Sequence, residues 1–272
     1  MTVLLENAGS LWLIGCGNMG GAMLRGWLAD GLPPANVTIV DPVLENAPQG
    51  VRLVREIPAG EAPSILVIAI KPQSLDAAAP ALRQGVQPQT LVISILAGVE
   101  TTTLKARLGA DAVVRAMPNT PAAIGQGVTA LFSSDASASQ RKVSQALMKS
   151  LGTVAWIDDE AQFDAVTALS GCGPGFVFRF IDALADAGAA LGLDPALAAI
   201  LARDTVAGAA ALARASNETP AVLADRVASP GGATREGLNR LDQADGIRHL
   251  LNETLDAAAQ RSRAMAEAAR QA

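Results

Sequence analysis

The sequence predicts an α/β domain built on a parallel sheet, followed by an all-α domain, and three observations predict it. Leu11-Trp12-Leu13-Ile14 is a short apolar run that stops at Gly15, Gly17 and Gly20, after which Met23, Leu24, Trp27 and Leu28 return at helical spacing. That order is strand, glycine turn, helix. Further apolar runs of strand length recur up to Ile157, and from Asp158 onward no strand pattern appears. The first domain is therefore expected over 1–157 and the second over 158–272.

The glycine turn has a chemical meaning. In a Rossmann-type βαβ unit Gly15 permits the tight turn, Gly17 lets the backbone approach a pyrophosphate, and Gly20 lets helix and strand pack closely. The helix start, with Cys16, Asn18 and Met19 around it, then offers unpaired N–H groups and a positive dipole end to the phosphates. Past Gly31 and Pro33 the run Val37 to Val40 is a second strand, and Asp41 stands at its end, where this fold places a carboxylate about twenty residues past the last glycine to hold a ribose diol.

The rest of the first half follows the same alternation. Val51 to Val54 reads as a third strand, and Ile65 to Ile70 is a continuous apolar run of the kind buried on both faces of a parallel sheet. It ends at Lys71-Pro72-Gln73, which the position of ligands beyond the carboxyl ends of strands puts at the cofactor crevice. A helix over Ser74 to Arg83, a strand over Thr90 to Ile95 ending in Ala97-Gly98, and a helix over Glu100 to Leu108 come next. Val113 to Met117 leads into Pro118-Asn119-Thr120-Pro121, which is expected to be irregular. Ile124 to Phe132, a helix near Ser137 to Leu151 and a strand near Val154 to Ile157 complete the domain.

In the second half Phe176, Val177, Phe180, Ile181 and Leu184 share one helical face, as do Leu197, Ile200, Leu201 and Leu212, and Ile247, Leu250, Leu251, Leu255 and Met265 mark a final helix. These helices are rich in Ala and Gly, so backbones can approach closely. Faces this apolar bury poorly in one small domain and predict a homodimer through the C-terminal helices.

Composition narrows the partners. The net charge of −5 with scattered Lys and Arg argues against nucleic acid. The first ten residues carry no Lys or Arg and no long apolar core, so no secretory signal is expected. Met117 to Ser134, the longest uncharged stretch, is broken by Pro and Gly and does not read as a membrane span. Two distant cysteines, Cys16 and Cys172, and a single histidine, His249, supply no metal-ligand spacing. Free thiols in the cytoplasm are the expectation. Tyr is absent, which removes the Tyr general acid that many nicotinamide enzymes use.

Two glycine-rich breaks interrupt the helical half: Ser170-Gly171-Cys172-Gly173-Pro174-Gly175 and Ser229-Pro230-Gly231-Gly232-Ala233-Thr234. A helix start preceded by glycines and bearing a Thr hydroxyl suits a carboxylate; the alternative is an ordinary interhelical turn with Ser229 or Thr234 as the cap.

Taken with Ile14 to Gly20, Ile70 to Gln73, Ser94 to Gly98, Arg115 to Pro121 and Leu169 to Pro174, the segment Ser229 to Thr234 resembles the pyrroline-5-carboxylate reductase family, the enzymes of the last step of proline synthesis. The segments run in order over nearly the whole chain. The resemblance implies a helical domain that interleaves with a partner's, and often a ring of such dimers. It implies hydride transfer from NADH or NADPH to the C=N carbon of 1-pyrroline-5-carboxylate. It also implies a substrate carboxylate on the amides of Gly232, Ala233 and Thr234, within a loop that includes Ser229 and Gly231, with the Thr234 hydroxyl near the ring nitrogen as the catalytic group. The nicotinamide and its ribose would lie against Ala69, Lys71, Pro72 and Asn119, and Thr234 of one subunit would face the other subunit's cofactor. Thr234 or a water is then the candidate proton source, while His249 reads as a surface or interface residue.

The sequence departs from the family pattern at several positions. Asp41 followed by Pro42 stands where a small polar residue and a phosphate-accepting group are frequent. A carboxylate there accepts hydrogen bonds from a ribose diol and repels a 2′-phosphate. A charged hydrogen bond of about 1.5–3 kcal/mol amounts to roughly ten- to a hundredfold in selectivity, so NADH is the expected donor unless Arg52 or Arg55 reaches the ribose. Cys172 replaces a common serine, Gly175-Phe176 a common Ala-Tyr, and Asp204-Thr205 a frequent Gln-Thr; these bear on pocket shape. The competing readings are a related cyclic imine or 3-hydroxyacid reductase, and a non-catalytic dinucleotide-binding protein.

Overall fold

Strand polarity and burial decide the architecture of the first part of the chain. The computed structural model describes residues 9–271, so the reading of the extreme N-terminus, up to residue 8, lies outside it. Eight strands, β1 (Leu11–Ile14), β2 (Val37–Val40), β3 (Arg52–Val54), β4 (Ile65–Ile68), β5 (Leu91–Ser94), β6 (Ala112–Met117), β7 (Gly127–Phe132) and β8 (Gly152–Trp156), form one sheet in the order β3-β2-β1-β4-β5-β6-β7-β8. The strand order reverses between β1 and β4, with Leu13 in register with Ile39 on one side and Val67 on the other. This reversal is the crevice where dinucleotides bind in such sheets.

Alternation along β1 supplies two cores. Leu11 and Leu13 face one layer with Met23, Leu24 and Trp27 of α1 (Asn18–Ala29); Trp12 and Ile14 face the other with Leu75, Ala79 and Leu82 of α2 (Leu75–Gly85) and Leu104 and Leu108 of α3 (Thr101–Leu108). The Trp12 ring needs room at the end of α2, where a Cβ on Gly85 would lie 2.7 Å from it. On the first layer α4 (Ala138–Lys149) starts at a capping box between Ser137 and Gln140 and packs Ala146, Leu147 and Met148 inward. The buried Trp27 Nε1–H donates to the Leu147 carbonyl at 2.9 Å, which gives the indole its partner and ties α1 to α4.

Two local expectations change. Thr120–Ile124, expected to be irregular, forms a 3₁₀ turn with Pro121 in its first turn, where a missing N–H costs nothing. That tight turn reverses the chain, so β7 runs antiparallel to β6, the one antiparallel pairing in the sheet; a parallel neighbour would need a longer crossover.

The helical remainder comprises α5 (Phe163–Val166), a π-helical turn over Thr167–Gly171, α6 (Gly173–Ala190), α7 (Pro195–Ala215), α8 (Pro220–Arg226), α9 (Ala233–Leu241) and α10 (Ile247–Gln271). Contacts divide the chain after Gly171 rather than at 157/158, and the stretch from Ala258 onward returns to the sheet-bearing unit; the other unit is Cys172–Ala257. A buried charge explains the shift. Arg115 on β6 pairs with Glu160 at 3.2 Å, with side-chain exposures of 7% and 18%. Glu160 also accepts from the Thr101 N–H at 2.8 Å and hydroxyl at 2.6 Å. The guanidinium lies 4.1 Å over the buried Phe163 ring. Beyond it, Asp164 accepts from Ser262 at 2.7 Å, and the Ala266 backbone closes on Gly98, where a Cβ would come within 3.3 Å.

Within Cys172–Ala257, α6 and α7 approach closely where Gly188 meets Ala198. Most of the positions expected to be core or interface are open to solvent in the single chain: Leu212 is 61% exposed, Val177, Phe180, Leu184, Leu197, Ile200 and Leu201 are also exposed, Phe176 and Ile181 are half-buried, and Phe178, outside the expected face, is 63% exposed. By length and composition α7 could cross a membrane, with a mean hydropathy of 1.5 over its most apolar window; the longest uncharged stretch of sequence was a poor guide to it, because α7 carries isolated charges at Arg203 and Asp204.

Replacing Arg115 by Leu leaves Glu160 without its cation. The expected loss is about 3 kcal/mol, the low end for a broken buried pair because Glu160 keeps some exposure. It should be read as a lower urea midpoint in Trp fluorescence, since Trp12, Trp27 and Trp156 all lie in the sheet-bearing unit. The double change to Leu at 115 and 160 should regain most of it.

Candidate active site

The glycine turn does the work its spacing implies, with one division of labour. Gly15, at φ +85°, donates its N–H to the Val40 carbonyl at 2.9 Å, and a Cβ there would sit 2.9 Å from the Ala69 carbonyl oxygen. A Cβ on Gly20 would lie 2.4 Å from the Gly15 oxygen, so helix and turn touch only because both are glycines. Gly17 differs: it is exposed, nothing lies within 4 Å of its Cβ position, and it heads α1 without a capping side chain. That open cradle at a helix N-terminus fits a pyrophosphate.

A cavity of about 680 Å³ runs from this turn across the strand ends, lined among others by Gly15, Gly17, Asp41, Ala69 and Lys71. A second, of about 700 Å³, lies on the other flank of Gly17, with Cys16, Asn18, Arg25, Leu44 and Asn46 on its wall. Met19 packs against the first core. Pro72 and Asn119 line neither cavity. The Asn119 side chain is committed elsewhere: its Oδ1 accepts from Val128 N–H at 2.8 Å and its Nδ2 donates to the Ser170 carbonyl at 3.0 Å. It ties the turn after β6 to the π-helical segment.

Asp41 is buried and lines the cavity, yet its carboxylate is spent on the backbone. Oδ2 accepts from the Cys16 N–H at 2.8 Å, and Oδ1 from Val43 and Leu44 N–H at 2.9 Å each. Burial by itself would raise its pKa, but these donors together with Arg55 hold the carboxyl below the usual range. These bonds give Asp41 a part in building the turn. Of the two arginines considered beside it, Arg52 forms a bidentate pair with Glu61 at 2.6 and 3.0 Å, while Arg55 lines the cavity and donates to the Asp41 carbonyl at 3.1 Å and to that of Leu44. Glu56 lines the same wall; its one signal in the sequence is a charged residue just past a third strand. Burial and Asp41 push the Cys16 thiol up, opposed by Arg25, so it stays protonated and is no nucleophile. Cys16 and Cys172 are both free.

In the helical unit Ser229 to Thr234 forms a turn. Gly231 takes φ +70°, and α9 begins after Gly232 with no side-chain cap, so neither Ser229 nor Thr234 acts as one. The Gly232 N–H, expected to face a substrate carboxylate, donates to the Ser229 carbonyl at 2.9 Å and closes the turn. Among the described residues, the α9 amides without a partner are those of Ala233, Thr234 and Arg235, because the next N–H, of Glu236, reaches Gly232. Arg235 anchors the helix start to α8 through Asp225 at 2.8 Å. His249 is exposed and faces Glu253 at 3.6 Å.

A sheet with its order reversed at β1, an open glycine turn there and a cavity across the strand ends define a dinucleotide-binding domain of the Rossmann type. Comparison with known families agrees in both parts: residues 10–98 match NADP oxidoreductase, coenzyme F420-dependent, and residues 160–265 match pyrroline-5-carboxylate reductase dimerisation. The pyrroline-5-carboxylate reductase of Pseudomonas aeruginosa is 38% identical over 265 residues, covering 93% of this chain and 96% of that one. Among solved structures, the pyrroline-5-carboxylate reductase of Coxiella burnetii matches with a TM-score of 0.88 and 30% identity, over 95% of this chain and 99% of that one. The Plasmodium falciparum pyrroline carboxylate reductase with NADP bound matches at 0.80 and 28%, over 96% and 99%. The chain belongs to the pyrroline-5-carboxylate reductase family. It is an NAD(P)H-dependent oxidoreductase and a homo-oligomer with a small-molecule substrate.

The lowered Asp41 pKa fixes a sign. Its stabilisation is complete above the unfolded value of about 3.9 and is lost as pH falls through the lower folded value. Asp41→Asn turns one acceptor into a donor facing a backbone N–H. It should cost about 1.5–3 kcal/mol at pH 7 and remove that acid-dependent slope below pH ~3.9. Equal stability of variant and parent at pH 7 in urea titrations would refute the role of Asp41 in the turn.

Proposed function

We infer that this chain is a pyrroline-5-carboxylate reductase, reducing the C=N bond of 1-pyrroline-5-carboxylate to L-proline in the last step of proline biosynthesis, with NAD(P)H supplying the hydride. The observation that carries the substrate assignment is the uncapped start of α9, where a positive helix end and the free amides of Ala233, Thr234 and Arg235 suit a carboxylate. Ser229, Gly231 and Gly232 shape that turn, Gly232 through its bond to Ser229.

The chemistry asks for little beyond placement. The ring nitrogen enters protonated, so the C=N carbon is already electrophilic, and the neutral amine left by hydride addition takes up one further proton, from Thr234 or a water, to become L-proline. The Thr234 hydroxyl, exposed on the first turn of α9, accepts from that ring N–H and fixes the face of the ring. Positioning of this kind supplies much of a barrier reduction. A chain with one histidine and no tyrosine is suited to it.

The partner binds through α6, α7 and the apolar residues of α10, whose exposed Val, Phe and Leu side chains are the ones a second copy would cover. The hydropathy of α7 is accounted for by the same interface. A ring of such dimers, a cytoplasmic location in keeping with two free thiols, and NADH as the better donor complete the proposal.

Initial rates with 1-pyrroline-5-carboxylate and each cofactor test it. Turnover is expected with both, faster with NADH; cofactor binding without turnover on this imine would favour a reductase for another cyclic imine. Thr234→Ala should lower kcat/KM by about ten- to a hundredfold, the size of one lost charged hydrogen bond, with the fold intact because no other group depends on that hydroxyl. Sedimentation at micromolar concentration should find a dimer or larger assembly, and a monomer would remove the proposed interface.

A further inference from the structure

Backbone donors take three of the acceptor positions of the Asp41 carboxylate, so a ribose hydroxyl at the cavity is better served by a carboxylate whose positions are all open. Glu56 meets the requirement. It stands just past β3, on the half of the sheet formed by β1, β2 and β3, which in this topology serves the adenosine end of a dinucleotide. It is exposed, lines the same cavity as Asp41, and among the described residues its carboxylate makes no hydrogen bond or ion pair. The cations near it are held elsewhere. Arg52 is turned to Glu61, the Nη1 of Arg55 spans the Asp41 and Leu44 carbonyls, and Lys71 lies beyond β4.

We propose that Glu56 is the specificity-determining residue for the cofactor: its free carboxylate accepts a ribose hydroxyl at the adenosine end of the cavity and repels a 2′-phosphate. This rests on the cavity being the cofactor site of the proposed reductase. Asp41 contributes a fixed negative charge, but most of its hydrogen-bonding capacity goes into the turn. Glu56 has both charge and free acceptors. A phosphoryl group carrying about −1.5 to −2 charge would meet two carboxylates there, and gain Arg55 only if that side chain released the two carbonyls that tie the loop after β2.

The test is nucleotide binding to the intact protein, measured by calorimetry without turnover. Adenosine 2′,5′-bisphosphate and 5′-AMP differ by the phosphate in question. The parent should bind 5′-AMP more tightly than the bisphosphate. Glu56→Gln, an exposed change that keeps the side chain's size, should tighten the bisphosphate by about tenfold, the scale of one removed like charge, and weaken 5′-AMP by roughly three- to tenfold, because the amide oxygen still accepts the ribose hydroxyl but without charge. The bisphosphate gain should shrink at high salt, where exposed charges are screened. The KM for NADPH should fall relative to that for NADH in parallel. Equal shifts for the two nucleotides, or none, would overturn the role of Glu56 while leaving the cavity as the cofactor site. If the parent binds neither nucleotide nor NADH, the cavity reading fails and the proposal falls with it.

Discussion

Asp41 fastens together two loops that the pairing of β1 with β2 places side by side. One carboxylate oxygen takes the Cys16 N–H in the turn after β1, and the other takes the Val43 and Leu44 N–H groups in the loop after β2. Each bond is of the charged type, worth about 1.5–3 kcal/mol when its removal leaves a donor unpaired. Together with the Gly15 N–H on Val40 they hold the turn flat against the strand ends. The open surface at Gly17, the wall of the cavity and the place of Arg55 all follow from that attachment. A residue that looks like a ligand group from its position is therefore a structural one in its bonds.

A second buried charge sets the extent of the sheet-bearing unit. Arg115 on β6 cannot be left alone in the interior, and its counter-charge comes from Glu160, past the last strand. The segment between β8 and the π-helical turn is drawn onto the sheet with it, Phe163 under the guanidinium and Asn119 bonded to Ser170 at the far end. The carboxyl-terminal part of α10 completes the same unit through Ser262 and Ala266. The unit that carries the cofactor cavity thus depends on both ends of the chain.

The helical unit poses the opposite problem. Its charged groups are paired at the surface, as Arg235 with Asp225 and Arg226 with Glu218, whereas its large apolar side chains on α6 and α7 face water in a single copy. The family's dimerisation region coincides with these helices. Small residues at Gly188 and Ala198 explain how the two helices pack on each other and still leave their outer faces for a partner.

Much was legible in the sequence because it depends on local rules. The apolar runs fixed where strands lie, since a strand buried on both faces admits few polar residues, and the glycine spacing located the turn, since only glycine tolerates the geometry at Gly15 and the contact at Gly20. Ser229 to Thr234 likewise marked an uncapped helix start. Bonds between residues distant along the chain were hidden: that Asp41 accepts from three backbone donors, that Gly232 closes its own turn while Arg235 supplies the free amide, that Asn119 holds Ser170, and that Arg115 moves the boundary to Gly171. A sequence determines which groups must find a partner; only the folded backbone decides which partner comes within about 3 Å, because hydrogen bonds and buried ion pairs fall off over distances shorter than one residue of chain.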